Sequence, residues 1–415
     1  MKRSRNLFVE NPPLFFLLTT ITFIMTTHAQ PQIARELFDR YDKDKHESIT
    51  SRRFTQSQLL EWLKPYVEKN VVAAESLGTS AEGRTISLYT FGAGPTKVFL
   101  WSQMHGDEAT ATMALVDMFN FFSKNPDHAA ARALREKLTL LVIPMLNPDG
   151  AERFTRRTGQ LIDMNRDALA LVTPEAKILK ATRERFQPEF GFNLHDQDPR
   201  YTVGATKNIS AIALLAPATN EERSDNAVRL RAKKVAASLA EVMRQFIPAH
   251  LAKWDDAFEP RAFGDNIQKW GTSTVLIESG GWLNDPDKMF LRKLNYVGLL
   301  TTLYAIATET IDDADIQAYE QIPFNTKYAF DLLIRNAQLK MNDRVPAVRV
   351  DVGVNFEEMM MNGAVQRSAR IMDVGDLSIY TAYEVRDAKG GVIDTAKVGI
   401  ERVISFDDLN RLINP

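Results

Sequence analysis

Between residues 86 and 308 short apolar runs alternate with stretches of helical periodicity, and this alternation limits the fold more than any other feature of the chain. Apolar runs fall at 86–89, 98–101, 138–144, 190–194, 211–215 and 274–277, and helical patterns at 57–70, 109–122, about 222–246 and 287 to about 308. Strands alternating with helices of about 10 to 25 residues bury both faces of one sheet, so the pattern predicts an α/β sheet covered by helices on both sides. After about residue 310 the pattern changes. Val348, Val350, Val352, Val354 and Phe356 alternate strictly, and Asp387-Ala388-Lys389-Gly390-Gly391 has the composition of a hairpin turn, which predicts a small all-β C-terminal domain over 325–415. It carries no motif with an assignable role, and Met359, Met360 and Met361 within it are expected to be core filler or an edge rather than a ligand surface.

Composition removes several classes of function. Fifty-one Lys and Arg against 53 Asp and Glu leave a net charge of -2, without the basic excess that a nucleic-acid backbone requires. With no cysteine, disulfides, thiolate nucleophiles and thiolate metal sites are excluded. Chemistry must therefore come from oxygen and imidazole nitrogen, and no GxSxG elbow offers a serine nucleophile.

The first residues read as a processing signal. Lys2, Arg3 and Arg5 precede an apolar run at 14–25, and Thr27-His28-Ala29 places a small residue before a cleavage point, which predicts a signal peptide over 1–29 and an N-terminal extension over 30–54. That run falls short of the roughly 20 residues that span a bilayer. The expectation is an exported, secreted or periplasmic protein with no membrane span once the signal is removed. An export signal without cysteines suits a bacterial periplasm or exterior.

Chemistry-bearing residues collect at the ends of the apolar runs. His105-Gly106-Asp107-Glu108 follows the run at 98–101 and puts a His and a Glu three residues apart at a helix entrance, where one ion can reach both. His195 ends the run at 190–194. Two His and one carboxylate with an open fourth position make a catalytic zinc set, although nitrogen and oxygen ligands also admit cobalt or manganese. Asn147-Pro148-Asp149-Gly150 is a turn, Asp163-Met164-Asn165-Arg166 packs a carboxylate, an amide and a guanidinium into four residues, and Glu278 ends an otherwise apolar strand. In open α/β sheets the ligand crevice lies outside the carboxyl ends of the strands, so these groups share one edge of the sheet. His46 lies in Tyr41-Asp42-Lys43-Asp44-Lys45-His46-Glu47, which lacks the Gly of a calcium loop and its Glu at the right offset and is expected to be a solvated charged turn, while His128 and His250 lack a partner at metal spacing.

Taken in order, Gly78-Thr79-Ser80-Ala81-Glu82-Gly83-Arg84, the HxxE pair, Asn147-Pro148-Asp149-Gly150, Asp163-Met164-Asn165-Arg166, His195 and Glu278 resemble the M14 zinc carboxypeptidases over roughly residues 55 to 305. The resemblance implies a mixed sheet of about eight strands within a catalytic domain over 55–310, one zinc ion on His105, Glu108 and His195, and a peptide or peptide-like substrate with a free carboxylate. It further implies that Asn165 and Arg166 hold that carboxylate, that Glu278 is the general base, that Arg156 or the adjacent Arg157 polarises the scissile carbonyl, and that Asp163 accepts the ring N–H of His105. One departure stands out: no Tyr lies between Tyr201 and Tyr296, where the family's substrate-clamping tyrosine is expected and Trp254, Phe258, Phe263 and Trp270 stand, so either an aromatic ring replaces the phenol or the clamp is absent. Asp265 is expected to be a loop or cap residue. The resulting expectation is an exported zinc metallocarboxypeptidase. A zinc amidohydrolase acting on cell-wall peptides or N-acyl amino acids, and a catalytically silent zinc- and peptide-binding module, remain as alternatives.

Overall fold

The computed structural model describes residues 15–361, 364–394 and 403–404; Lys2, Arg3 and Arg5 of the expected signal lie outside the described residues, as do the side chains of Met359, Met360 and Met361. Among the described residues nine strands and nine α-helices precede residue 310. They are α1 (Phe15–Asp44), α2 (Gln56–Glu68), β1 (Ala73–Thr79), β2 (Thr85–Phe91), β3 (Thr96–Ser102), α3 (Thr110–Lys124), α4 (Ala129–Lys137), β4 (Leu138–Ile143), α5 (Pro148–Arg153), α6 (Pro174–Phe186), β5 (Phe190–Asp196), β6 (Tyr201–Val203), β7 (Ile212–Leu215), α7 (Ala227–Arg244), β8 (Leu251–Lys253), α8 (Phe263–Lys269), β9 (Ser273–Ser279) and α9 (Met289–Ala307).

Eight of these strands form a mixed sheet in the order β1-β2-β4-β3-β5-β9-β7-β8. The central strands β4, β3, β5 and β9 run parallel, and their burial is nearly complete on both sides, as expected where helices cover both faces. On one face Val98, Leu100, Phe192 and Val275 meet apolar residues of α3, α7 and α9; on the other, Phe99, Trp101 and Ile143 meet Leu179 of α6 and Phe263 and Ile267 of α8. The expected α/β architecture with a separate C-terminal sheet is what the chain adopts. That sheet includes β11 (Ala329–Lys340), β12 (Val348–Met361), β13 (Ala364–Gly375) and β14 (Thr381–Asp387), while β10 (Asn325–Lys327) pairs back onto β6.

Residues 30–54 are built into the α/β unit rather than hung from it. Ala34, Leu37 and Tyr41 of α1 belong to the main core, and the Tyr41 hydroxyl donates to Asp117 at 2.9 Å. Asp117 also takes two hydrogen bonds from Arg292, at 2.7 and 2.6 Å, and both partners are fully buried. The same guanidinium donates to the carbonyls of Ile49 and His46, so the buried pair also fixes this segment. The next helix, α2, starts on a capping box: Thr55 accepts from the Gln58 amide, and its own amide donates to Gln58 Oε1 at 2.9 Å. The helix expected from about 222 begins instead at Ala227, because Asn220 captures the Ser224 amide in a turn and Asn226 supplies the N-cap.

Candidate active site

Strands β3, β5 and β9 deliver the reactive groups. His195 and Glu278 are register partners on adjacent parallel strands, which directs both side chains to one face of the sheet edge. His105 and Glu108 lie in the turn between β3 and α3. The Glu108 carboxylate stands between the two imidazoles, with Oε1 2.7 Å from His105 Nδ1 and Oε2 2.6 Å from His195 Nδ1. One ligand atom from each of His105, Glu108 and His195 lies within 4.8 Å of the other two, and all three residues are buried. His105 Nε2 faces Asp163 Oδ1 at 3.1 Å. With the ring proton held there, the Nδ1 lone pair points at a carboxylate, a pairing that only a proton or a cation between them relieves. Two imidazole nitrogens and one carboxylate oxygen, backed by a carboxylate that fixes one tautomer, fit a zinc ion by their chemistry.

Two turns hold this group. Gly106 packs so closely on Gly150 that a Cβ at Gly106 would overlap the Gly150 backbone. Asn147 caps α5 through the Gly150 amide at 2.9 Å and donates to the Met104 carbonyl at 3.3 Å. Asp149, fully buried, accepts from Ser80 Oγ at 2.6 Å, the Glu82 amide at 3.0 Å and Arg84 Nη1 at 2.7 Å. The Gly78–Arg84 motif is therefore a clip on α5, and α5 leads into the loop carrying Arg156.

That loop separates the two candidate arginines. Arg156 Nη1 lies 3.1 Å from Glu108 Oε1, and its Nε donates to Asp163 Oδ2 at 3.0 Å. Arg157 instead donates to the Leu161 carbonyl at 3.0 Å. The structure thus brings Arg156 to the cluster and leaves Arg157 outside it. Asn165 and Arg166 follow directly after Asp163. Asn165 Oδ1 accepts from the Phe263 amide at 2.8 Å, and the half-exposed Arg166 has Glu259 at 3.5 Å. Asp265, buried in the first turn of α8, accepts from the Glu259 amide at 3.1 Å, and burial pushes its carboxyl up to about 7.

The electrostatics divide the two buried glutamates. Burial alone would raise Glu108, but His105 and His195 hold it well below the usual carboxylate range. Burial raises Glu278 well above that range, and the negative charges of Glu108 and Asp196 add to the effect. Glu278 Oε2 and His195 Nε2 are both buried without a hydrogen-bond partner among the described residues. Asp163 is lowered despite its burial, by His105 and Arg156.

Several features escape sequence reasoning. Asp196 accepts from Thr110 Oγ1 at 2.7 Å and from Lys288 Nζ at 3.1 Å, and Lys288 also donates to the Ser279 carbonyl at 3.0 Å. This buried ion pair ties the ends of β5 and β9 together beneath Glu278. A charged residue right after His195 is a signal for Asp196; nothing in the sequence singles out Lys288. Among the aromatic residues of the tyrosine-free stretch, Phe263 is core and pairs with Trp270 at 6.4 Å, and Trp254 stands edge-on to Tyr201 at 5.4 Å. His128 caps α4 and His250 Nδ1 lies 2.7 Å from the Ile209 carbonyl; His46, expected in a solvated turn, is instead half-buried beside Trp62, its amide donating to the buried Asp117 at 2.7 Å.

Comparison with known proteins places these motifs. A family model described as zinc carboxypeptidase matches residues 59–189, a span that contains His105, Glu108, Arg156, Asp163, Asn165 and Arg166. The chain is 30% identical over 161 residues to a probable carboxypeptidase 2 of Arthroderma benhamiae, covering 38% of this chain and 30% of that protein. To carboxypeptidase 2 of Trichophyton tonsurans it is 29% identical over 161 residues, covering 38% and 29%. The chain thus spans less than a third of the length of these curated relatives. Among solved structures, a metallo-carboxypeptidase from Burkholderia cenocepacia aligns with a TM-score of 0.50 at 17% identity, covering 62% of this chain and 70% of that one. Bovine thrombin-activatable fibrinolysis inhibitor, solved with tick carboxypeptidase inhibitor, aligns with a TM-score of 0.50 at 13% identity, covering 63% and 98%. Those likenesses show the fold, and over residues 59–189 the chain is similar to the zinc carboxypeptidase family.

Proposed function

We propose that the protein is an exported zinc metallocarboxypeptidase that cleaves peptide bonds at or near a free carboxyl terminus. The observation that carries this reading is the convergence of His105, Glu108 and His195, distant in sequence, on one point beside Glu278. A zinc ion held by those three residues would supply Lewis acidity at the scissile carbonyl and acidify water. Glu278, whose carboxylate is made more basic by its surroundings, accepts the proton of the attacking water and returns it to the leaving amine. Arg156 donates to the carbonyl oxygen as negative charge develops there. Asn165 and Arg166 receive the terminal carboxylate, for which a planar guanidinium offers two parallel donors. Asp163 keeps His105 in one tautomer and orients Arg156 at the same time.

The test pairs metal analysis of the purified protein with mass spectrometry of a peptide library after incubation. One zinc per chain and stepwise loss of residues from free C-termini, absent from amidated peptides, are expected. Release of fragments from muropeptides without any action on linear peptides would favour the amidohydrolase instead, and peptide binding without product would favour the silent module.

Export carries its own structural support. Pro31 lies inside α1, where a proline removes a helical hydrogen bond and crowds the preceding turn at a cost of about 3 kcal/mol. Cleavage after Ala29 would place Pro31 in the first turn of the remaining helix, where its fixed φ is favourable. No helix among the described residues is long and apolar enough to cross a membrane. The mature protein should therefore begin at Gln30, and an intact-mass measurement of secreted material that retains residues 1–29 would refute the cleavage.

A further inference from the structure

The segment after His195 and the glycine pair after Glu278 take many of their partners from the C-terminal part of the chain, to which the sequence assigns no role. Gln197 Oε1 accepts from Asn325 Nδ2 at 2.8 Å, and the Pro199 carbonyl accepts from the Tyr383 hydroxyl at 2.7 Å. Arg200 Nη1 donates to Asp331 Oδ2 at 3.0 Å and to the Phe356 carbonyl at 3.3 Å. Strand β6, which begins at Tyr201, pairs antiparallel with β10. The Tyr383 hydroxyl also fills the space beside Gly281, where a Cβ would overlap it. These contacts join at the catalytic strands themselves, because the Gln197 amide donates to the Ser279 carbonyl at 3.0 Å.

We propose that the C-terminal sheet positions the active site: Tyr383 and Asp331 clasp the 197–201 segment and the Gly280-Gly281 pair, and so hold His195 and Glu278 in their mutual register. Among the described residues neither side chain is hydrogen-bonded to His105, Glu108, His195 or Glu278, so both are positioning residues. Catalytic geometry is steep in distance; a shift of about 1 Å far from the chemistry can cost about a hundredfold in rate. A loop that loses part of its outer wall can move by that much. Tyr383→Phe deletes one hydroxyl and leaves the Pro199 carbonyl without its donor, while Asp331→Asn removes the charge that ties Arg200 to the C-terminal sheet and leaves it only its local charged partner Asp198. Elsewhere in the same sheet, Arg335 pairs with Asp351, which lies on β12 and does not contact the 197–201 segment. Asp351→Asn therefore costs the sheet an ion pair without touching the clasp, and separates positioning from general stability.

Three full-length variants, Tyr383→Phe, Asp331→Asn and Asp351→Asn, are to be compared with the unmodified chain by hydrogen–deuterium exchange over 197–201 and 279–281, and by kcat and KM on a C-terminal peptide substrate. The first two should raise exchange in both segments by about fivefold and lower kcat by about tenfold with KM nearly unchanged. Asp351→Asn should do neither. Unchanged exchange in Tyr383→Phe and Asp331→Asn, or an equal rise in Asp351→Asn, would overturn the proposal. The kinetic arm rests on the peptidase reading and the exchange arm does not: if the unmodified chain cleaves no peptide, that reading fails while exchange alone decides the role of the sheet.

Discussion

Glu278→Gln should keep one zinc per chain and lower kcat by about a thousandfold, with KM close to that of the parent. The amide is isosteric with the carboxyl and fits the same buried space at the end of β9, so the substitution removes basicity and little else. A neutral amide cannot take the proton of an attacking water or hand one to the leaving amine. The same change should leave folding intact or improve it. In the native chain Glu278 is buried and faces the negative charges of Glu108 and Asp196, with Arg156 and Lys288 as the compensating cations. Removing an ionisable group from that setting removes a repulsion, so the thermal midpoint of the metal-free variant should equal or exceed that of the metal-free parent. Metal analysis, steady-state kinetics and thermal melting are read on the same preparations. A variant that retains kcat within a fewfold of the parent would remove Glu278 from the mechanism, and a variant that loses its zinc would make Glu278 a holder of the metal rather than a base.

The parts of the site legible in the sequence are those where local chain chemistry and strand ends coincide. His105, Glu108, His195 and Glu278 could be found because each ends an apolar run and therefore lies at the carboxyl edge of a parallel sheet. The sheet itself was legible because β3, β4, β5 and β9 are buried on both faces and read as continuous apolar runs. Other elements lacked that signal. Strand β1 is exposed along most of its length at the sheet edge, with the sequence Ala-Ala-Glu-Ser-Leu-Gly-Thr, so no alternation marks it. Helix α8 is only seven residues long and almost wholly buried, which removes the polar face by which an amphipathic helix is recognised. Tertiary partners are the other blind spot. Sequence order made Arg156 and Arg157 equivalent neighbours; only the turn through Phe154, in a left-handed conformation with φ of 48°, decides which guanidinium reaches Glu108. Lys288 and Tyr383 act through contacts across 92 and 184 residues of chain, distances over which no local pattern carries information.

His195→Ala should lose both the metal and the activity, and the reason lies in how the three ligands depend on one another. Glu108 is buried, and its charge is held by His105 on one oxygen and His195 on the other, with Arg156 beside them. Deleting the His195 ring removes one of three donors and leaves two, below the three protein ligands of a catalytic zinc site. The variant also strips one oxygen of Glu108 of its neighbour in a buried place, so the remaining pair is a poorer ligand than two thirds of the original. Thermal melting provides a readout independent of turnover. Adding zinc to the chelated parent at about a thousand times its dissociation constant should stabilise the fold by about 4 kcal/mol, because only the folded chain brings the three residues together. The variant should show no such rise at the same zinc concentration. If His195→Ala still carries stoichiometric zinc and melts higher on adding it, the ion sits elsewhere, and the assignment of His105, Glu108 and His195 as one metal site falls with it.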